Sequence, residues 1–183
     1  MKKPSLSAIT LCILVYTNCI DIKAQNIVPQ DDDQYKYFKT ELAWIAKVTI
    51  AETISVGESK NGTRRVVPIT GGTFEGPGIK GKVLNGGEDW QLVRPDGDTQ
   101  LYARYLLQTD DSIVIQVINQ VLIHNPEKTD KPTPYVRSVI DLEAPVNSKY
   151  DYLNHAIFLG TLTVPELMEG EEPFVIIGVY KLL

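Results

Sequence analysis

The sequence predicts an all-β protein, folded as a single antiparallel β-barrel with at most one or two short helical turns. Three observations support this class. Short runs of β-branched, aliphatic and aromatic residues recur along the chain, tight-turn dipeptides separate several of them, and no window of a dozen residues shows the 3.6-residue period of an amphipathic helix. About ten such runs indicate a barrel or a sandwich, and closure into a barrel removes exposed strand edges.

The first residues follow the pattern of a secretory signal peptide. Three residues that include Lys2 and Lys3 precede a mostly apolar run from residue 6 to 16. This run is too short to cross a bilayer, because a spanning helix needs about 20 residues. We therefore expect residues 1–24 to be a signal peptide cleaved after Ala24, with the protein exported to the periplasm or secreted and not inserted in a membrane.

Both cysteines, Cys12 and Cys19, lie within this leader. Lipid attachment at Cys19 is an alternative to cleavage at Ala24, although Asn18 is a poor neighbour for that processing. The mature chain would have no cysteine, so its stability must come from its core and not from disulfides. Its length predicts one domain that is large enough to bury a core unaided.

The composition excludes some classes of partner. Removing residues 1–24 takes away three lysines and one aspartate, which leaves 15 basic and 22 acidic residues and a net charge of −7. An acidic chain of this kind repels nucleic acid and anionic lipid surfaces. Residues 25–40 form a polar N-terminal arm whose three aspartates, 31–33, are interpreted as a solvated charge run and not as a cation site.

The barrel domain is predicted to occupy residues 41–183. Asn61-Gly62, Asn85-Gly86 and Asp96-Gly97 are tight hairpin dipeptides, and strands joined this tightly are antiparallel. A single helical turn is expected within 147–154. The predicted strands are 41–54, 65–70, 72–74, 78–84, 89–94, 99–108, 112–125, 133–143, 156–162 and 174–181.

Two of these runs show which side chains share a face. In 99–108 the even positions are mostly polar or aromatic and include Tyr102 and Arg104, while the odd positions from Leu101 to Leu107 are apolar or aromatic. In 112–124 the odd positions Ile113, Ile115, Val117, Val121 and Ile123 form an apolar stripe. Because successive side chains of a strand point to opposite sides, each run has one apolar and one mostly polar face.

The stretch 69–90 is rich in glycine and holds seven of the thirteen glycines of the chain. Glycine permits bends and close backbone approaches that other residues do not allow. Two carboxylates, Glu88 and Asp89, and the ring of Trp90 follow the last pair of these glycines. We interpret the stretch as the wall of a pocket and expect Gly71, Gly72 and Gly87 to line it.

The sequence around the possible cofactor-binding and metal-binding residues does not support either kind of site. Residues 76–81 fit G-x-G-x-x-G, but a dinucleotide-binding loop must open a helix within a βαβ unit, and no helix is expected here. His124 and His155 have no second ligand at metal-binding spacing, so each is interpreted as an ordinary surface or core histidine. We expect neither a metal site nor a cofactor.

The remaining candidates for chemistry are gathered around the glycine-rich stretch. We expect Asp89 and Arg104 to form an ion pair facing the barrel interior, because an inward guanidinium would need a carboxylate partner. Trp90 and Tyr102 are candidate ligand contacts, and Glu75 is a second candidate acid. The alternatives are a structural ion pair, an exposed polar face and, for Trp90, a place in the core.

Several of these residues stand in an ordered set of motifs that resembles the domain of unknown function 3237 family. The set runs from about residue 42 to the C-terminus. It comprises Gly62-x-Arg64-Arg65, Pro68-Ile69-Thr70-Gly71-Gly72-x-Phe74-x-Gly76-Pro77, Gly86-Gly87-x-Asp89-Trp90, Ala103-Arg104-Tyr105 and Tyr152-Leu153-Asn154. The resemblance implies a calycin-like barrel. Tyr152 replaces the usual tryptophan, and the resemblance implies that Tyr152 and Asn154 contribute to a pocket wall.

Three functions remain open. The favoured hypothesis is that the barrel binds a small, partly apolar molecule, aromatic or polyketide-like. The second, implied by fungal relatives that look like cyclases, is cofactor-free cyclase, isomerase or lyase chemistry in the same cavity, with Asp89 or Glu75 moving the proton and Arg104 holding an enolate or phenolate oxygen. The third is a structural envelope protein.

Overall fold

The computed structural model describes residues 38–125 and 134–183. The expected signal peptide, residues 1–24, and all but the last three residues of the expected arm lie outside these ranges, as does the start of the strand predicted at 133. Within the described ranges, no helix has both the length and the apolar character needed to cross a bilayer.

The described chain is built almost entirely from ten antiparallel strands, which confirms the predicted all-β class. The single helix within the described ranges is a 3₁₀ helix at Asp151–His155, which overlaps the stretch 147–154 where one helical turn is expected. The strands are β1 Thr40–Ile50, β2 Ile54–Ser59, β3 Gly62–Gly76, β4 Ile79–Val83, β5 Gly87–Val93, β6 Thr99–Thr109, β7 Val114–His124, β8 Tyr135–Glu143, β9 Phe158–Thr163 and β10 Phe174–Leu182.

The ten strands close into a barrel with eight strand positions. One edge of the long strand β3 pairs with β2 and then β1, and its other edge pairs with β5 and then β4. The pair β1 and β2 therefore fills one strand position, and the pair β4 and β5 fills another. From β6 the pairing continues through β7, β8, β9 and β10 and returns to β1, so the ring is complete.

Strand β3 can serve both pairs of neighbours because it bends at Gly71 and Gly72. The sequence predicts two separate runs here, but the structure has one continuous strand of 15 residues. Gly72 has a φ of +128°, and a Cβ atom built on it would lie 2.0 Å from the carbonyl oxygen of Lys47 in β1. Only glycine allows the two backbones to approach so closely, and this contact helps to close the barrel.

One end of the barrel is filled by aromatic and aliphatic side chains. The Trp44 ring lies 5.8 Å from that of Phe74 and 6.4 Å from that of Phe158, between ring centroids, and all three are almost fully buried. Leucine, isoleucine and valine side chains surround them, among them Leu107 and Ile115. Burial of each such side chain stabilises the fold by about 1.5–3 kcal/mol, so this half of the interior is a packed core.

Candidate functional site

The other half of the barrel interior holds a cavity of about 280 Å³. It lies above the packed core, and residues such as Ile69 and Ala103 belong both to its lining and to the core cluster. The walls are mostly aliphatic because the inward positions of the strands carry valine, isoleucine and leucine. The aliphatic lining residues are Val48, Ile50, Val67, Ile69, Leu101, Ala103, Val121, Ile123, Leu162, Val164, Val175 and Ile177.

A carboxylate stands in this apolar wall. Asp89 of β5 lies directly opposite Ala103 of β6, an inward position, so Asp89 also faces the cavity. Its Oδ2 atom accepts a hydrogen bond of 2.6 Å from Nε2 of Gln91, and Oε1 of Gln91 accepts one of 2.7 Å from Nε of Arg65. This chain leads from the buried carboxyl to an exposed guanidinium. The other carboxylate oxygen, Oδ1, finds no hydrogen-bond partner among the described residues.

Burial changes the acidity of two groups in the cavity. Burial raises the pKa of Asp89 above its usual range, because an apolar environment disfavours the ionised carboxylate. The hydrogen bond from Gln91, the nearby backbone N–H of Tyr102 and the charge of Arg65 oppose this shift. Burial also raises the pKa of Tyr105, and the nearby negative charge of Asp89 raises it further. The cavity therefore combines apolar walls with a carboxyl group that holds its proton unusually well.

The structure places Arg104 outside the barrel, so the expected ion pair with Asp89 does not form. Arg104 is opposite Glu88 in the pairing of β5 with β6, whereas Asp89 is opposite Ala103. Neighbouring positions of a strand point to opposite faces, and burial of Ala103 and Tyr105 turns Arg104 outward. Its guanidinium donates to Oε1 of Gln116 at 2.7 Å. The prediction that Arg104 shares a cavity with Asp89 is therefore wrong.

Trp90 and Tyr102 also lie on the outer face, where they are opposite each other in the β5–β6 pair. Their exposed fractions are 43% and 45%, and the indole Nε1 of Trp90 donates to Oε2 of Glu88 at 3.0 Å. Neither side chain contacts the cavity, and Trp90 is not in the core. Their expected role as ligand contacts in the barrel interior does not agree with this placement.

The other residues predicted to form the site near the glycine-rich stretch do not line the cavity. Glu75 is an exposed residue of β3, opposite Lys80 of β4, on the outside of the barrel. Gly71, Gly72 and Gly87 are absent from the described lining of the cavity. A Cβ atom on Gly87 would lie 2.5 Å from Cβ of Tyr105, so this glycine gives Tyr105 room beside β5. The glycines shape the wall but do not form its surface.

Tyr152 and Asn154 lie at the filled end, in the 3₁₀ helix. The Asn154 side chain accepts a hydrogen bond from the backbone N–H of Ala144 and donates one to its carbonyl oxygen, at 2.8 and 2.9 Å. It thereby holds the helix against the residue that follows β8. Tyr152 is about half exposed. Neither residue reaches the cavity, because the packed core separates them from it.

Sequence reasoning missed five polar residues of the cavity, namely Thr53, Arg65, Gln91, Tyr105 and Asn119. A signal for one of them was present. Asn119 interrupts the apolar stripe at the odd positions of β7, and it lies opposite Ala103 on the inward face. It is 2% exposed, and its Oδ1 atom has no hydrogen-bond partner among the described residues. Within the same ranges, no cluster of three or more potential metal ligands occurs.

These features define a class of protein, a closed antiparallel β-barrel whose interior is half core and half cavity. The profile of the family described as "Protein of unknown function (DUF3237)" matches residues 38–182. The chain belongs to this family, as its motifs predict. A relative described as a UPF0311 protein from Rhodopseudomonas palustris is 32% identical over 133 residues, which cover 67% of this chain and 86% of that protein.

Solved structures show the same fold. A β-barrel-like protein from Acinetobacter baumannii is 31% identical, with a TM-score of 0.70 over 80% of this chain and 97% of the other. A structure described as an enzyme from Penicillium herquei is 25% identical, with a TM-score of 0.58 over 80% of this chain and 95% of the other. The neighbours thus include a protein described only as β-barrel-like and one described as an enzyme.

Proposed function

We propose that the barrel binds a small, partly apolar molecule in the cavity beside Asp89. The observation that carries this proposal is the Asp89 carboxyl group, which stands in an aliphatic wall with one oxygen unpartnered among the described residues. A buried polar atom without a partner costs stability. A ligand hydroxyl or N–H group that donates to this oxygen would recover that free energy.

The size and the walls of the cavity support the same proposal. Ligand pockets are typically apolar with a few fixed polar groups and have volumes of roughly 300–1,000 Å³. A cavity of about 280 Å³ lies at the small end of this range. It suits a molecule of one or two fused rings, which the aliphatic side chains would contact on its faces while Asp89 orients its polar edge.

Calorimetric titration with 2-naphthol tests this function, because the probe combines an apolar double ring with one hydroxyl group. We expect the parent protein to bind 2-naphthol and Asp89→Leu to bind it about tenfold more weakly, since one hydrogen bond to a charged or strongly polar acceptor is lost. Leucine has the same number and branching of side-chain heavy atoms as aspartate, so the substitution removes the oxygens with a limited change of shape.

Arg104→Leu is the matched control, because it also replaces a charged residue by leucine, but on the outer face of the neighbouring strand. Its affinity for 2-naphthol should equal that of the parent. Circular dichroism verifies that each variant is folded. Absence of saturable binding in the parent, or equal affinity in the parent and in Asp89→Leu, would remove Asp89 and its cavity from consideration as the binding site.

A second candidate function is cofactor-free acid–base catalysis in the same cavity. The raised pKa of Asp89 favours it, because a carboxyl group with a raised pKa lies closer to the range in which a general acid works. The neighbour described as an enzyme supports it as well. The chemistry would need a proton donor, a shape that orients the substrate and exclusion of water, and Asp89 with the aliphatic walls would supply these.

Deuterium exchange at C1 of 2-naphthol distinguishes catalysis from binding. A deuteron delivered to C1, with loss of the hydroxyl hydrogen, gives the keto tautomer, and loss of the original C1 hydrogen restores a labelled naphthol. We expect the parent to accelerate this exchange in D₂O, measured by proton NMR, and Asp89→Asn to lose the acceleration, because an amide keeps an acceptor oxygen but transfers no proton. Identical exchange rates with and without the parent protein would contradict catalysis and leave binding as the only proposed function of the cavity.

We also propose that this protein works outside the cytoplasm, in the periplasm or as a secreted protein. The proposal rests on the leader pattern of residues 1–24, which precede the region matched by the family profile. The exported protein should begin at Gln25. Mass spectrometry would contradict this cleavage if it showed a lipid-modified Cys19 at the N-terminus.

A further inference from the structure

We propose that the ligand carries two hydrogen-bond donors, one for Asp89 and one for Asn119. This inference rests on the proposed binding function and specifies its ligand as a hydroxylated carbocycle with donors on two sides. The structure shows two unpartnered, buried oxygens on the same cavity wall, Oδ1 of Asp89 and Oδ1 of Asn119.

The strand register places these two side chains on either side of one small residue. Asp89 is opposite Ala103 in the β5–β6 pair, and Ala103 is opposite Asn119 in the β6–β7 pair. All three therefore stand in one row across the inner face. Adjacent strands are about 4.8 Å apart, so the backbones of Asp89 and Asn119 are separated by roughly 10 Å. Ala103, with only a methyl group, leaves the space between them open.

The surroundings explain why a ligand with two donors is favoured over one with a single donor. The next inward neighbour of Asn119 in the same row is Ile140 of β8, which offers no polar group. A ring that satisfies Asp89 but presents carbon to Asn119 would leave the amide oxygen buried and unpartnered, and this costs affinity. A second donor removes that cost. Discrimination between one and two hydroxyl groups therefore resides in Asn119.

The test compares 2-naphthol with a series of dihydroxynaphthalenes that differ in the position of the second hydroxyl group. Calorimetric titration of the parent should show at least one diol that binds about tenfold tighter than 2-naphthol, the gain expected for one recovered hydrogen bond. In Asn119→Leu this advantage should vanish, so that the diol and 2-naphthol bind with about equal affinity. Gln120→Leu, an exposed neighbour on the outer face, is the control and should keep the advantage.

A stability measurement accompanies the titration. Asn119→Leu should unfold at a higher urea concentration than the parent in the absence of ligand, because it removes a buried polar atom that lacks a partner. If the leucine variant does not fold, Asn119→Ser replaces it in the titration. The comparison of the diols in the parent requires no variant.

The outcomes separate this inference from the function on which it rests. If 2-naphthol binds but no diol binds tighter, or if the variants at Asn119 keep the preference for a diol, the two-donor ligand is refuted and the binding function stands. If neither 2-naphthol nor any diol binds the parent, both are refuted.

Discussion

Gly72→Ala is expected to destabilise the barrel by about 4 kcal/mol or more, which is enough to unfold many small domains. The added methyl group would lie 2.0 Å from the carbonyl oxygen of Lys47 and 3.0 Å from Cα of Val48, both atoms of the β1 backbone. Backbone cannot move aside without breaking the β1–β3 pairing that closes the barrel. Urea denaturation followed by circular dichroism measures the loss.

Gly86→Ala is the matched control for this experiment. Gly86 also has a positive φ, +107°, but a Cβ atom on it would have open space around it. Alanine there meets only the conformational cost, about 1–3 kcal/mol, so the difference between the two variants isolates the close contact of β3 with β1. Equal destabilisation by both substitutions would show that the contact at Gly72 does not hold the barrel closed.

Ala103→Phe is expected to abolish binding of 2-naphthol and of the diols, with a loss on the order of a hundredfold or more, because a ring and a ligand cannot occupy the same space. Ala103 stands between Asp89 and Asn119 on the cavity wall, so a phenyl group there fills the space between the two polar groups. The cavity offers about 280 Å³ to receive the ring. Calorimetric titration measures the loss.

The control for Ala103→Phe is Arg104→Phe, which adds an aromatic ring at the next residue but on the outer face. This variant should bind both probes like the parent. The thermal midpoint of Ala103→Phe should stay within a few degrees of the parent, because the ring enters open space and not packed core. A folded Ala103→Phe protein that binds as well as the parent would mean that these ligands bind elsewhere.

Much of the fold follows from local sequence. Asn61-Gly62 and Asp96-Gly97 mark the β2–β3 and β5–β6 hairpins, as the sequence predicts. The hairpin predicted at Asn85-Gly86 is wrong, because β4 and β5 do not pair with each other but follow one another along β3 and β6. The alternation in β6 also separates two faces correctly. Turn chemistry and the two-residue period are properties of neighbouring residues, so a single sequence contains them.

The candidate site was predicted from the sequence only in part. The sequence indicates that the glycine-rich stretch shapes a wall and that Asp89 is its foremost carboxylate, and the structure places Asp89 in the cavity. The sequence does not indicate which faces of β5 and β6 turn inward, so Arg104, Trp90 and Tyr102 are expected inside although the barrel holds them outside. The alternation of side chains along a strand defines two faces. Which of them turns inward is decided only when all the strands of the barrel bury one face together.

The sequence by itself determined the all-β class, the turns and the family, because periodicity, turn dipeptides and fixed motif spacings are local properties. Only the tertiary structure decided that Asp89, Ala103 and Asn119 form one row, since residues 89 and 119 meet through the pairing of β5, β6 and β7. It also decided that Trp44, Phe74 and Phe158 fill one end of the barrel. The cavity is the space that this long-range packing leaves open, and no local pattern specifies it.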